Sequence, residues 1–447
     1  MAAFAWRFDL VVSAPFLDHF DCGAMANLAR ARAAEHGVVI IGGGQAGGRA
    51  AESLRRDGFG GSITLIGDEN VLPYERPSLS KEMLLDLEAE KITWLHDKNY
   101  YDAQSIELHL SNPAVAIDRN RSRVVLRDGL SLSYGVLVLA TGARVRELTV
   151  PGAGGRCFYL RSIEDSRALR GLMDAQRHIV VIGAGFIGLE VAAAARSHGA
   201  SVTVIETATA PLSRLAPPLL QDYVRGLHAA HGVTFRFGAT VERIDDTADG
   251  CRVSLGGGEA LDADAIVVGI GAVPNVELAA EAGLPCNRGI LVNPAGATAD
   301  PCIFAIGDVA EREMPRSGRS VLLESWQNAQ DQAIALSAVL AQEESPRADP
   351  APPWFWSDQY DRNIQIYGLM EPGLDWIERG SREQGPWLLS GVRDGRIEYA
   401  AGINAGRDLR ALRELMKLGA AIDVGALADP HCNLLSVLKA ARVESAD

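Results

Sequence analysis

The stretch VVIGAGFIGLE, Val180–Glu190, decides how this chain is to be read. An apolar run of Val, Val and Ile enters a turn made of Gly183-Ala-Gly185-Phe-Ile-Gly188. Such a run, bounded by glycine, predicts a strand buried on both faces. The first glycine permits the tight turn. The second lets backbone approach a pyrophosphate, and the third lets the following helix lie close on the strand. A helix is expected over 187–197, with free N–H groups and the positive end of its dipole facing the phosphates.

The same pattern occurs earlier. VVIIGGGQAGG begins at Val38 and carries Gly42, Gly44 and Gly47, with a helix expected over 46–56. Each copy is followed by a second apolar strand that ends in acid: SITLIGDE delivers Asp68, and SVTVIE delivers Glu206. A carboxylate about 20 residues beyond the turn can accept hydrogen bonds from ribose hydroxyls. One glycine turn alone is weak testimony. Two complete strand–turn–helix–strand–acid units predict two dinucleotides bound in two α/β domains.

Length suits about three domains. The first unit closes on YGVLVLATGAR (Tyr134–Arg144) and the second on DAIVVGIGAVPN (Asp264–Asn275), which includes Gly271. A further strand precedes Gly307-Asp308 and lacks a partner unless it returns to the first sheet. The second unit is therefore read as inserted in the first. The expected division is an N-terminal extension over 1–36, disordered; a first-dinucleotide domain over 37–148 and 273–345; a second over 149–272; and a C-terminal α+β domain over 346–447. Residues 1–24 lack a basic start before an apolar core, which argues against a secretory signal. The proline-rich EESPRADPAPP, Glu343–Pro353, reads as a linker.

Composition narrows the function. Net charge is −14, which leaves no global nucleic-acid footprint. No apolar stretch approaches the roughly 18 residues that span a bilayer. The six cysteines form no close pair, which argues against a zinc site or redox dithiol and suits a reducing cytoplasm. His228 and His231 lie at i, i+3 without a third ligand nearby, and are read as a solvated helix face.

Five further segments complete the picture: PYERPSLSKEML (Pro73–Leu84), ATGAR (Ala140–Arg144), AIGDVA (Ala305–Ala310), LESWQNAQDQA (Leu323–Ala333) and PWFWSDQY (Pro353–Tyr360). With the two fingerprints they resemble the oxygenase-coupled NADH–ferredoxin reductases of the glutathione-reductase superfold, which have two Rossmann-like domains and a C-terminal domain. The resemblance implies that Gly42, Gly44, Ala46 and Gly47 meet the pyrophosphate of FAD and Asp68 its adenosine ribose. It implies a backbone contact to adenine at Ala114, a phosphate contact at Arg144 and a ribityl contact at Asp308. Lys81 and Trp326 would lie by the flavin ring. Gly183, Gly185, Gly188 and Gly271 would hold NADH, Glu190 would face the nicotinamide, and Glu206 would bond the 2′-OH and repel a 2′-phosphate. The implied catalytic set is Lys81, Glu190 and Trp326.

The implied activity is that of a cytoplasmic ferredoxin–NAD(+) reductase. It passes electrons from NADH through FAD to a [2Fe-2S] ferredoxin, or to a rubredoxin, and so feeds a bacterial mono- or dioxygenase that degrades aromatic or other hydrophobic compounds. Thiol-based relatives need cysteine soon after the first fingerprint, and this chain has none between Cys22 and Cys157. A signalling flavoprotein like apoptosis-inducing factor is the alternative from another class. For partner docking, Arg407, Arg410, Arg413 and Lys417 fall on one helix face.

Overall fold

A computed structural model describes residues 22–314, 319–342 and 351–444. Two parallel five-stranded sheets and one antiparallel five-stranded sheet form its frame. In the first, Val38–Ile41 is central, flanked by Ile63–Ile66 and then Ile106–His109 on one side, and by Val136–Leu139 and then Ile303–Ala305 on the other. The four residues of each of Val38–Ile41, Ile63–Ile66 and Val136–Leu139 are buried, as continuous apolar runs in a doubly covered parallel sheet must be. The strand before Gly307 does return: Phe304 pairs in parallel with Val138.

The second sheet repeats the plan, with His178–Ile182 central beside Ser201–Glu206 and Ala265–Val268. An antiparallel ribbon of Ala143–Val145 and Ala272–Pro274 joins the two units, pairing Arg144 with Val273. The third sheet contains Trp354–Gln359, Arg362–Gly368, Asp375–Gly380, Trp387–Arg393 and Arg396–Ile403. The helices Gly406–Leu418 and Leu434–Glu444 cover it, burying Leu409, Leu412 and Leu415 from the first and Leu434 and Leu438 from the second.

Two expectations need correction. The segment 22–36 is not disordered: Cys22–His36 is a helix, and Ala29 and Ala33 are fully buried against the first sheet. Alanine at i and i+4 lets this helix approach so closely that a Cβ on Gly135 would lie 1.9 Å from the Arg32 carbonyl oxygen. The rest of the expected extension, and the linker over 343–350, lie outside the described residues. Nor is His228 solvated. It faces inward from the helix Pro218–Ala230 and is 0% exposed, because Gln359 of the third sheet covers it. Among the described residues no helix is long and apolar enough to cross a membrane.

Candidate functional site

Both glycine turns are built by close approach. Gly42 has φ +122°, and a Cβ there would stand 2.1 Å from the Ala140 carbonyl oxygen. A Cβ on Gly47 would stand 1.9 Å from the Gly42 oxygen, so the helix Gln45–Arg56 lies as near the strand as backbone allows. Gly44 meets open space. The second turn matches position by position: Gly183 has φ +105°, its Cβ would be 2.3 Å from the Gly269 oxygen, that of Gly188 would be 2.2 Å from the Gly183 oxygen, and Gly185 is open. The third and first glycines shape each turn, and the middle one leaves room for a phosphate above a helix N-terminus.

Around the first turn, distant segments converge. Gly307 donates its N–H to Gln332 Oε1 at 2.6 Å, and a Cβ on it would press to 2.8 Å from the Ala46 methyl. Asp308 then meets the guanidinium of Arg161 at 3.2 Å. Arg161 is held by a capping box: Asp165 accepts the N–H groups of Arg161 and Ser162, while the Ser162 hydroxyl accepts from Asp165 N–H. The backbone leading to Ala114 is tied beside Asp68, since Ser111 and Asn112 donate to the carbonyls of Glu69 and Gly67. Asp68 itself is exposed.

Arg144 has protein partners of its own. Its guanidinium bonds Asn275 Oδ1 and pairs with Glu277, both at 2.9 Å, and it is Arg161 that reaches Asp308. No motif marks Arg161. Glu324, also outside the expected set, has its carboxyl pushed up by desolvation first and by the Asp308 charge second. Arg161, Arg214 and Arg146 oppose that shift.

Three expected residues meet at one place. Lys81 follows the 3₁₀ turn Arg76–Ser80 of the first unit, and Glu190 lies in the helix Phe186–Ser197 of the second. The Lys81 ammonium is 2.8 and 2.9 Å from the two Glu190 oxygens, and both residues are buried. The ammonium also lies 5.8 Å from the centre of the Trp356 ring. Trp326, brought to the first position of its helix by the Ser325 cap, meets Trp356 edge to face at 5.7 Å. Trp354 stacks on Trp356 at 4.7 Å, and Tyr367 on Trp354 at 6.2 Å. Trp354 and Trp356 were absent from the expected set, although PWFWSDQY contains both.

At the second turn, Glu206 accepts hydrogen bonds from Ala184 N–H at 2.8 Å and Ala208 N–H at 2.9 Å. Its carboxylate is thereby fixed at the strand end beside the turn. Gly271, with φ +107°, immediately precedes the ribbon strand Ala272–Pro274, near Arg214.

These residues fit dinucleotide cofactors. Both amide atoms of Gln45, at the head of the first turn's helix, and the indole nitrogen of Trp326 are buried without a hydrogen bond inside the protein. Buried polar atoms of this kind require a partner, and a ring system with polar edges supplies one. The glycine cradles beside them leave the space.

Comparison with known proteins agrees. Residues 36–333 match the family described as Pyridine nucleotide-disulphide oxidoreductase, and residues 354–438 match Reductase C-terminal. The chain is 44% identical to the anthranilate 1,2-dioxygenase system ferredoxin–NAD(+) reductase component of Burkholderia cepacia, over 90% of this chain and 98% of that protein. It is 43% identical to rhodocoxin reductase of Rhodococcus erythropolis, over 85% and 89% of the two. Among solved structures, the covalent putidaredoxin reductase–putidaredoxin complex aligns with TM-score 0.86 and 36% identity, covering 91% of this chain and 98% of that one. The resemblance drawn from the motifs therefore holds. With one match spanning both glycine turns and a second spanning the sheet that supplies Trp354 and Trp356, the chain belongs to the pyridine nucleotide-disulphide oxidoreductase family and carries a reductase C-terminal domain.

Proposed function

We propose that this chain is an NADH-dependent ferredoxin reductase: it takes hydride from NADH, holds FAD, and passes single electrons to a small [2Fe-2S] ferredoxin that serves a cytoplasmic oxygenase system. A rubredoxin is the second acceptor class. The observation that carries the reading is the Lys81–Glu190 pair, which joins the two turn-bearing units against a tryptophan wall.

In this reading 37–148 and 273–345 form the FAD domain, 149–272 the NADH domain and 346–447 the interface domain. Gly42, Gly44, Ala46 and Gly47 cradle the FAD pyrophosphate, Asp68 and Ala114 serve its adenosine end, and Asp308 its ribityl chain. Arg161 joins Arg144 as a cation of that site. Gly183, Gly185, Gly188 and Gly271 hold NADH, whose 2′-OH is read by Glu206. FAD, when bound, supplies a centre that accepts two electrons together and releases them singly. The protein's part is to bring the two cofactors together and to exclude water.

Lys81 and Glu190 do this as a pair. Neither charge is stable in so buried a place without the other, and removing one partner of such a pair costs about 3–5 kcal/mol. They therefore hold the two units in register at the point of transfer. No general acid or nucleophile is needed. The five cysteines Cys157, Cys251, Cys286, Cys302 and Cys432 are free thiols, and none takes part in the Lys81–Glu190–tryptophan cluster.

The acceptor side follows from the aromatic contacts. Trp356, Trp354 and Tyr367 run from Lys81 to the guanidinium of Arg413, which lies 5.6 Å over the Tyr367 ring, and Trp326 meets the row edge to face at Trp356. Arg413 belongs to the helix Gly406–Leu418, where Arg407 and Arg410 are exposed. An acidic carrier docked there would meet positive charge at the end of that row. The test is anaerobic reduction of a bacterial [2Fe-2S] ferredoxin by NADH and catalytic enzyme. The expected result is turnover that requires FAD and proceeds with NADH faster than with NADPH. Turnover with a disulfide or peroxide but with no iron–sulfur acceptor would overturn the proposal.

A further inference from the structure

Glu190 has a second set of partners besides Lys81. Ser80 of the first unit donates its hydroxyl to Oε2, and Ser357 of the third sheet donates to Oε1 at 2.6 Å. Behind Ser357 the contacts continue. Gln359 Nε2 donates to Ser357 Oγ at 2.9 Å, and His228 Nε2 meets Gln359 Oε1 at 2.8 Å. The Tyr360 hydroxyl closes the row on His228 Nδ1 at 3.3 Å. Ser357, Gln359 and His228 are each 0% exposed, and Glu190 is 2% exposed. No bulk water reaches these groups to satisfy them otherwise.

The donor and acceptor chemistry gives the row one direction. A carboxylate only accepts, so Ser357 must give its single proton to Glu190. Its oxygen is then the acceptor for the Gln359 amide nitrogen. That choice presents Gln359 Oε1 to His228, which must carry its proton on Nε2, leaving Nδ1 to accept from Tyr360. Burial, the largest cause, lowers the His228 pKa to about 4, consistent with a neutral imidazole. Every proton in the row points toward the one anion at its end. A row used only to fill space would need neither the common direction nor the anion.

We propose that Ser357, Gln359 and His228 are positioning residues for hydride transfer: a one-way hydrogen-bond ladder from the C-terminal domain that fixes the Glu190 carboxylate, and through it Lys81, between the two dinucleotide sites. The proposal rests on the reading of Lys81–Glu190 as the meeting point of NADH and flavin. It gives the C-terminal domain a part in the donor half of the reaction, besides its part in docking the acceptor. The ladder crosses all three parts of the molecule. Ser80 and Lys81 come from the first unit, Glu190 and His228 from the second, and Ser357 and Gln359 from the third sheet.

Two measurements test it on the full FAD-bound chain. The first is the imidazole nitrogen NMR spectrum of the oxidised protein. His228 should appear as the neutral Nε2–H tautomer and should not titrate between pH 6 and 8. An Nδ1–H tautomer would overturn the ladder's direction without any substitution being made.

The second is anaerobic stopped-flow reduction of the flavin by NADH. Ser357→Ala removes one hydrogen bond to a charged, buried acceptor, so the limiting reduction rate should fall about tenfold. NADH affinity and FAD content should stay within twofold, and Ser357→Thr should restore most of the rate. A Ser357→Ala rate equal to wild type overturns the ladder alone. Failure of the wild-type flavin to be reduced by NADH overturns the functional reading beneath it.

Discussion

The two glycine turns are nearly the same object, yet their surroundings differ in two ways. The first is the acid. In the second unit Ile182 pairs with Ile205, so Glu206 sits level with Gly183 and is bound to the turn through Ala184 N–H. In the first unit Ile41 pairs with Ile66, so the matching place is taken by Gly67, and Asp68 stands one residue further out. The second difference is the roof. Over the first turn Gly307 presses against Ala46, and the helix Trp326–Ser337 lies along the turn's own helix. At the second turn Ile187, on the turn's own helix, is 44% exposed. The turn shape thus fixes where a pyrophosphate goes. On the proposed reading, what surrounds it decides whether the dinucleotide stays or leaves.

Substitutions in the two turns should therefore have large but opposite consequences. Gly47→Ala drives a methyl onto the Gly42 carbonyl, and FAD retention should fall by about 100-fold or more. Gly188→Ala does the same at Gly183, yet the protein should keep its FAD and lose NADH-driven flavin reduction by a similar factor. Flavin content and stopped-flow reduction of both variants decide the matter, and loss of FAD from Gly188→Ala would erase the distinction. Glu206→Arg acts on the second site alone. It exchanges a hydrogen-bond acceptor for a cation that suits a 2′-phosphate, so the NADH to NADPH preference should drop roughly 10- to 100-fold with flavin content unchanged. Initial rates with each donor check this.

Much of the contrast is legible in the sequence because it is local. Glycine spacing, the apolar runs and the acid at a strand end all lie within one strand–turn–helix–strand unit, and the insertion follows from one strand without a neighbour. The ladder behind Glu190 is not local. Ser357 and Gln359 share one strand, but His228 lies 131 residues before Gln359 and Glu190 lies 167 before Ser357, and His228 is buried only because the third sheet docks on its helix. Read along that helix, it looked solvated. Arg161 escaped for a like reason, since its role depends on a capping box that turns it toward Asp308. The helix Cys22–His36 escaped because alanines carry little pattern until Gly135, in the bend before the strand Val136–Leu139, lets the helix come close.

Two smaller effects concern the acceptor side and the thiols. The helix Gly406–Leu418, proposed to dock the acceptor, is less positive than its arginine spacing suggests. Glu414 pairs with both Lys417 and Arg442, and Arg413 is half-buried against Tyr367. Arg407 and Arg410 are exposed, while the exposed Lys417 is paired with Glu414, and reversing both arginines to Glu should slow ferredoxin reduction about fivefold at low salt, with the difference shrinking as salt rises. NADH-driven flavin reduction should be unchanged, and an equal ferredoxin rate at low salt would remove this helix from the docking surface. Replacing all six cysteines with serine should leave both half-reactions within about twofold of wild type in protein that remains folded. Loss of flavin reduction in folded, FAD-bound protein would point to a thiol step.

The claim that the two turns hold a resident and a visitor is tested most directly by what the protein carries. The full chain, purified without added cofactor, would be denatured and its released nucleotides identified and counted. The account predicts one FAD per chain, no FMN, and no stoichiometric nicotinamide nucleotide. Recovery of bound nicotinamide nucleotide without flavin, or of equal amounts of both, would contradict it.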